Sequence, residues 1–259
     1  MNTEQYLQNK INQIKSNLRN WRWYEWGILW GLVPAILLLI YSLPQSLKDN
    51  YFILDTAFPL RLQTYFLSSY THSQLYPHLI GNLAFYFPAL LAVFAFEYDR
   101  RRFWLVASWA FCIVPFISSF LTVGIWSIIG KNTIGQGFSA IIGAFLAYAL
   151  FILIIGFLHE ILADLEHPET SILSKDWFRL MRVLVGALFT FLVITGILFA
   201  GGSLNNGPVH FGGFMTTLIL LLIWDIKTDK KRYFNSILAF SIIIGILVYV
   251  ICLVQVNRV

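Results

Sequence analysis

Apolar runs long enough to cross a bilayer recur along almost the whole chain, and this pattern constrains the fold more than any single motif. A transmembrane helix needs about 20 consecutive, mostly apolar residues. Runs of that kind lie at about 27–43, 77–96, 103–129, 134–158, 181–200, 208–224 and 234–254. Composition agrees with the pattern: of 259 residues, 58% are hydrophobic and 12% charged, against about 45–50% and about 25% in soluble domains. The aromatic share of 17%, with 9 Trp and 23 Phe, suits a chain with many membrane–water boundaries. Ordinary soluble and disordered classes are excluded. The expected fold class is an all-α polytopic membrane protein.

Charge then predicts orientation. Placing the N-terminus in the cytoplasm puts Lys10, Lys15, Arg19, Arg22, Arg100–Arg102, Lys175, Arg179, Arg182, Lys227 and Lys230–Arg232 inside. Only Lys48, Arg61, Lys131 and Arg258 remain outside, so 14 of the 18 basic residues are cytoplasmic, as the positive-inside rule asks. The basic residues cluster between apolar runs, which makes nucleic acid a poor partner. With seven spans the C-terminus faces out. The first 26 residues read as a cytoplasmic amphipathic helix, with Leu7, Ile11, Ile14, Leu18 and Trp21 at helical spacing. Trp21, Trp23, Tyr24 and Trp26 form an expected aromatic collar. The first span ends at Ser42-Leu43-Pro44 without a small-x-small cleavage site, so it reads as retained. Segment 45–76, broken by Asp49, Asp55, Pro59 and Arg61, reads as an interfacial, partly embedded loop. The Arg100–Arg102 turn reads as an orientation and headgroup contact.

Ionisable groups inside a membrane are functional candidates. Of 13 acidic residues only Asp49 and Asp55 fall outside, and none is buried in a span. An acidic transport relay, a pair of intramembrane aspartates and a His-Glu-x-x-His zinc helix are all missing. His159, Glu160, Asp164 and His167 lack zinc-protease spacing and read as a solvated inner turn before the fifth span. Cys112 and Cys252 both lie in apolar runs, so no disulfide framework or zinc site is expected. Neutral polar groups remain. His78 and Asn82 are four residues apart and share a helix face. Ser139 lies about five residues into the fourth run, roughly 7–8 Å along its axis, and His210 begins the sixth. The alternation of spans puts all four at one outer level. A serine needs a base to become a nucleophile, and a neutral imidazole is the usual one. Ser139 and His210 could form such a dyad, with Asn82, His78 and the Ser139 N–H as donors to an oxyanion. The small residues Gly135, Gly137, Ala140, Gly143, Ala144 and Ala147 would allow close helix approach. Each residue also has a plainer role: Ser139 as a packing residue, His78 and Asn82 as caps, His72 as a structural histidine. Their occurrence together at one level is what carries the catalytic reading.

From the first span to the sixth the chain resembles the rhomboid family of intramembrane serine proteases. His72 with His78-Leu-Ile-Gly-Asn82 resembles the family's His…His-x-x-x-Asn signature. Phe96-Glu97 with Arg102-Phe103 resembles its acidic and Arg-Phe turn. Gly137-Phe138-Ser139-Ala140 is similar to the Gly-x-Ser-x nucleophile motif, and Val209-His210-Phe211-Gly212-Gly213 to the motif bearing the base. The pattern departs at Ala140, where glycine is commonest, at Gly143, where an aromatic often stands, and at Thr217, which replaces a second glycine. His72 and His78 have one more residue between them than is frequent. The resemblance implies a rhomboid-like six-helix bundle at 27–224, preceded by the cytoplasmic segment 1–26 and followed by 225–259 with a seventh transmembrane helix. It implies a serine endopeptidase with Ser139 and His210 catalytic, Asn82 and His78 in the oxyanion hole, and His72 and Gly137 supporting. Substrates would be single-span or other transmembrane proteins, cut near the outer face, with the fifth span, loop 203–207 or segment 45–76 moving to admit them. No cofactor or metal is implied. Two other readings are an inactive rhomboid-like protein that binds transmembrane clients, and a small-solute transporter.

Overall fold

The computed structural model describes residues 3–59, 61–130, 132–166 and 207–226. Six helices and one short strand pair organise them. They are α1 (Thr3–Asn20), α2 (Trp23–Tyr41), β1 (Leu54–Asp55), α3 (Leu75–Phe96), α4 (Arg100–Ile129), β2 (Ile134–Gly135), α5 (Ser139–Glu166) and α6 (Gly207–Ile226). By length and composition α2, α3 and α4 can each cross a membrane, and α5 and α6 carry further apolar stretches at Ser139–Leu153 and Gly212–Trp224. The fifth and seventh apolar runs, and the loop expected to admit substrate, lie outside the described residues.

Backbone groups released at prolines and π-turns are taken up by side chains from neighbouring elements. In α2 the N–H of Val33 bonds back to Ile28 in a π-turn just before Pro34, and the carbonyl of Leu29 accepts the Tyr86 hydroxyl at 3.0 Å. In α4 Pro115 has no N–H to offer the Phe111 carbonyl one turn earlier. The hydroxyl of Tyr70, from segment 45–76, donates to that carbonyl instead. At the end of α3 the Asn17 amide and the Trp21 indole donate to the carbonyls of Ala95 and Phe94, at 2.9 and 2.7 Å. Those carbonyls would otherwise be orphans of a helix C-terminus, so α1 is docked by capping α3.

This docking corrects the aromatic collar. Trp21 is buried, stacked on Phe94 at 4.2 Å between ring centroids, whereas Trp23 is 84% exposed. The arginine turn is corrected too. Arg102 makes a two-pronged ion pair with buried Glu97, at 2.8 and 3.0 Å, and Glu97 also accepts the Tyr148 hydroxyl at 2.5 Å. Arg100 pairs with buried Glu25 at 3.3 Å, leaving Arg101 as the exposed member. Each buried carboxylate is thus met by one arginine, whose charge-assisted hydrogen bonds offset part of the cost of taking it out of water. A third correction concerns His159, Glu160 and Asp164: α5 continues to Glu166, so their backbone is helical and not an inner turn.

Segment 45–76 folds as a compact unit. Thr64, Tyr65, Ser68, Ser69, Thr71 and His72 are buried, while Phe58 and Leu62 are exposed. Its strand β1 pairs antiparallel with β2, Leu54 opposite Gly135 and Asp55 opposite Ile134. Gly130 ends α4 in the left-handed region at φ 72°, a conformation glycine adopts without steric cost.

Candidate active site

Ser139 is the first residue of α5, not one five positions inside a helix. The chain ahead of it is held out of helical geometry. Ile134 and Gly135 are committed to the strand pair, and Gly137 takes φ 129°, which an L side chain rarely adopts. A Cβ at 137 would also stand 2.7 Å from Nε2 of His78 and 3.8 Å from Nδ2 of Asn82. Glycine is therefore required twice, by dihedral and by space. Phe138 caps the helix, its carbonyl accepting the N–H groups of Ile141 and Ile142 at 3.1 Å each. The N–H groups of Ser139 and Ala140 belong to the first turn, where a helix offers no acceptor. They add to the positive end of the helix dipole. The 7–8 Å depth read from the sequence is thus replaced by a position at the mouth of the helix.

Asn82 and His78 come to this turn from α3, and His72 joins them from segment 45–76. The Asn82 amide donates to Nε2 of His72 at 2.8 Å, and the Phe138 N–H donates to the same nitrogen at 3.3 Å. Nε2 is therefore the acceptor, and the proton of the neutral ring sits on Nδ1. Burial, with His78 beside it at 4.9 Å between ring centroids, pushes the His72 pKa down to about 3. His72 is a fixed neutral acceptor that orients Asn82 and the Phe138 amide together. Asn82 retains a second N–H beyond the one given to His72. The Ser73 hydroxyl lies 3.4 Å from Nδ1 of His78.

His210 reaches the region through close contact of α5 and α6. A Cβ on Gly143, one turn beyond Ser139, would come within 2.8 Å of the His210 carbonyl. A Cβ on Gly213 would fall 2.0 Å from the carbonyl oxygen of Ala140. Two glycines, one on each helix, thus let the backbones meet beside Ser139 and His210. His210 is buried, while Ser139 is half-buried. The departure at Gly143 has this physical reason: no side chain fits against the His210 backbone. Ala140 is fully buried, with its carbonyl against α6. Thr217 is buried as well, its hydroxyl without a hydrogen-bond partner among the described residues.

Beside Ser139 lies a half-open cavity of about 20 Å³, bordered by Leu54 and by Ser68, Ser69, Ser118, Ser119 and Ser139 among others. A space of that size is large enough for one water, and the serine hydroxyls on its border are the polar partners a water needs. Ser119 and Ser118 were not singled out from the sequence, although two adjacent hydroxyls in an apolar run are themselves a signal. The Ser119 hydroxyl donates to the Tyr65 carbonyl at 2.7 Å, which ties α4 to segment 45–76. Among the described residues no cluster of three His, Cys, Asp or Glu could hold a metal ion. The chain matches no known protein-family description and no curated protein.

Proposed function

We propose that the protein is an intramembrane serine endopeptidase of the rhomboid type, hydrolysing peptide bonds of transmembrane protein substrates near the outer membrane face. One observation carries this reading. A serine stands at the first turn of a helix, behind a glycine held against His78 and Asn82, while a histidine-bearing helix packs on the same helix through Gly143 and Gly213. The ordered motifs that resemble rhomboids and the 14 of 18 basic residues on one set of loops support the same reading. In it the N-terminus is cytoplasmic, residues 27–224 form the six-helix core, and a seventh span follows.

In this mechanism His210 accepts the Ser139 proton as Oγ attacks the scissile carbonyl carbon. The tetrahedral oxyanion is met by the Ser139 N–H, the free Asn82 N–H and His78. Donors placed where charge develops are each worth about 3–4 kcal/mol in the transition state. Collapse breaks the C–N bond, and the His210 imidazolium returns its proton to the leaving amine. A water then attacks the acyl-serine with His210 again as base, restoring Ser139. The cavity at Ser68, Ser118 and Ser119 is suited to hold that water.

The test uses purified protein in liposomes with a single-span substrate whose outer boundary carries small, helix-weakening residues. The expected result is a cut near the outer face, lost in Ser139→Ala and His210→Ala, reduced less in Asn82→Ala, and indifferent to chelators. Capture of the substrate by all forms with no cut would instead support client binding without catalysis.

A further inference from the structure

We propose that Thr56 is a positioning residue for the nucleophile turn, acting through a lock between segment 45–76 and residues 133–139. The inference rests on the proposed catalytic role of Ser139. The upstream end of the lock is built from one residue, through both its hydroxyl and its backbone N–H. The Thr56 hydroxyl accepts the Thr133 N–H at 2.7 Å and lies 3.2 Å from the Thr133 carbonyl oxygen, to which it donates. The Thr56 N–H donates to that same carbonyl at 3.0 Å. Both backbone groups of Thr133 are thus satisfied by a single, buried threonine.

The consequence reaches Ser139 through the short segment between them. Thr133 leads directly into β2, which pairs with β1 at Gly135 and Ile134. Gly137 then donates its N–H to the Ser68 carbonyl at 2.9 Å, and Phe138 donates to His72. Among the described residues, the hydrogen bonds that hold this turn from outside α5 come from segment 45–76. Thr56 anchors its upstream end, and Ser68 with His72 anchors its downstream end. Since the turn contains Gly135 and Gly137, its backbone has little conformational preference of its own. The lock supplies what the glycines lack. Segment 45–76 thus holds the nucleophile turn at both of its ends.

Thr56→Val keeps shape but leaves the Thr133 N–H without an acceptor, whereas Thr56→Ser retains the hydroxyl. Thr133→Ala keeps every backbone group. Two readouts are needed in full-length protein in liposomes: kcat and KM for substrate cleavage, and hydrogen exchange of the peptide spanning 133–140. The expected outcome for Thr56→Val is a kcat about tenfold lower with KM within about twofold, since misplacement of a reacting group costs rate more than binding. Exchange in 133–140 rises about fivefold or more. Thr56→Ser restores both, and Thr133→Ala leaves both unchanged.

Unchanged exchange in Thr56→Val overturns the lock itself. Raised exchange with unaltered kcat overturns its positioning role. A wild-type protein that neither cleaves nor reacts with a serine-directed probe would instead overturn the protease reading, and the lock would then stand or fall on the exchange data alone.

Discussion

His72 shows how one buried ring can organise a site without reacting. Its Nε2 collects hydrogen bonds from Asn82 and from the Phe138 N–H, so protonation of that nitrogen would break both. Its pKa is pushed down to about 3 in the fold, against about 6.5 when unfolded. Below pH 6.5 the unfolded chain binds a proton that the folded chain refuses. Stability supplied by the neutral ring is therefore complete above about pH 6.5 and falls as pH drops toward 3, by up to about 1.4 kcal/mol per pH unit. His72→Gln should flatten the pH dependence of the denaturation midpoint between pH 6 and 4 by close to one proton. An unaltered slope would mean that His72 is protonated in the folded state. The sequence marks this residue as a structural or supporting histidine but does not name its partners. Its hub role depends on the Phe138 amide, and no spacing rule brings position 72 to position 138.

At the scale of elements, α5 and α6 meet where glycine removes the side chain. The Cβ of an alanine at 143 would lie 2.8 Å from the His210 carbonyl, so Gly143→Ala must push the helices apart. Cleavage should fall about tenfold or more, with a lowered melting temperature, and equal activity would show that His210 need not sit against α5. A second junction, Glu97 with Arg102, Tyr148 and the Asp99 N–H, ties α3, α4 and α5 together. Glu97→Ala should destabilise the fold by about 2–3 kcal/mol, because it removes a buried carboxylate that joins the half-buried Arg102, the Tyr148 hydroxyl and the Asp99 N–H. Thermal unfolding in detergent, followed by tryptophan fluorescence, reads that loss directly. The helices α2, α3 and α4 fall where uninterrupted apolar runs put them, since length and apolarity are local properties. The start of α5 does not. Hydropathy runs on through Ile134 and Gly135, but strand pairing and the φ of Gly137 delay the helix until Ser139. The same limit hid the burial of Trp21 and the pairing of Arg102, whose partners Phe94 and Glu97 lie on other elements or across a turn.

For the whole molecule, the polar chemistry gathers at the ends of apolar helices. Segment 45–76 supplies Thr56, Ser68 and His72, α3 supplies His78 and Asn82, and the remaining groups come from α5 and α6. Of these, Ser68 and Ser139 border the water-sized cavity, together with Ser69, Ser118 and Ser119. The central claim is that Ser139 is a nucleophile activated by His210. Its most direct measurement is the reaction of the membrane-reconstituted protein with a fluorophosphonate, followed by mass mapping of the adduct. The expected result is one phosphonylated residue, Ser139, with labelling lost in Ser139→Ala and strongly slowed in His210→Ala. An adduct at another serine, or labelling of Ser139 at the wild-type rate in His210→Ala, would contradict it.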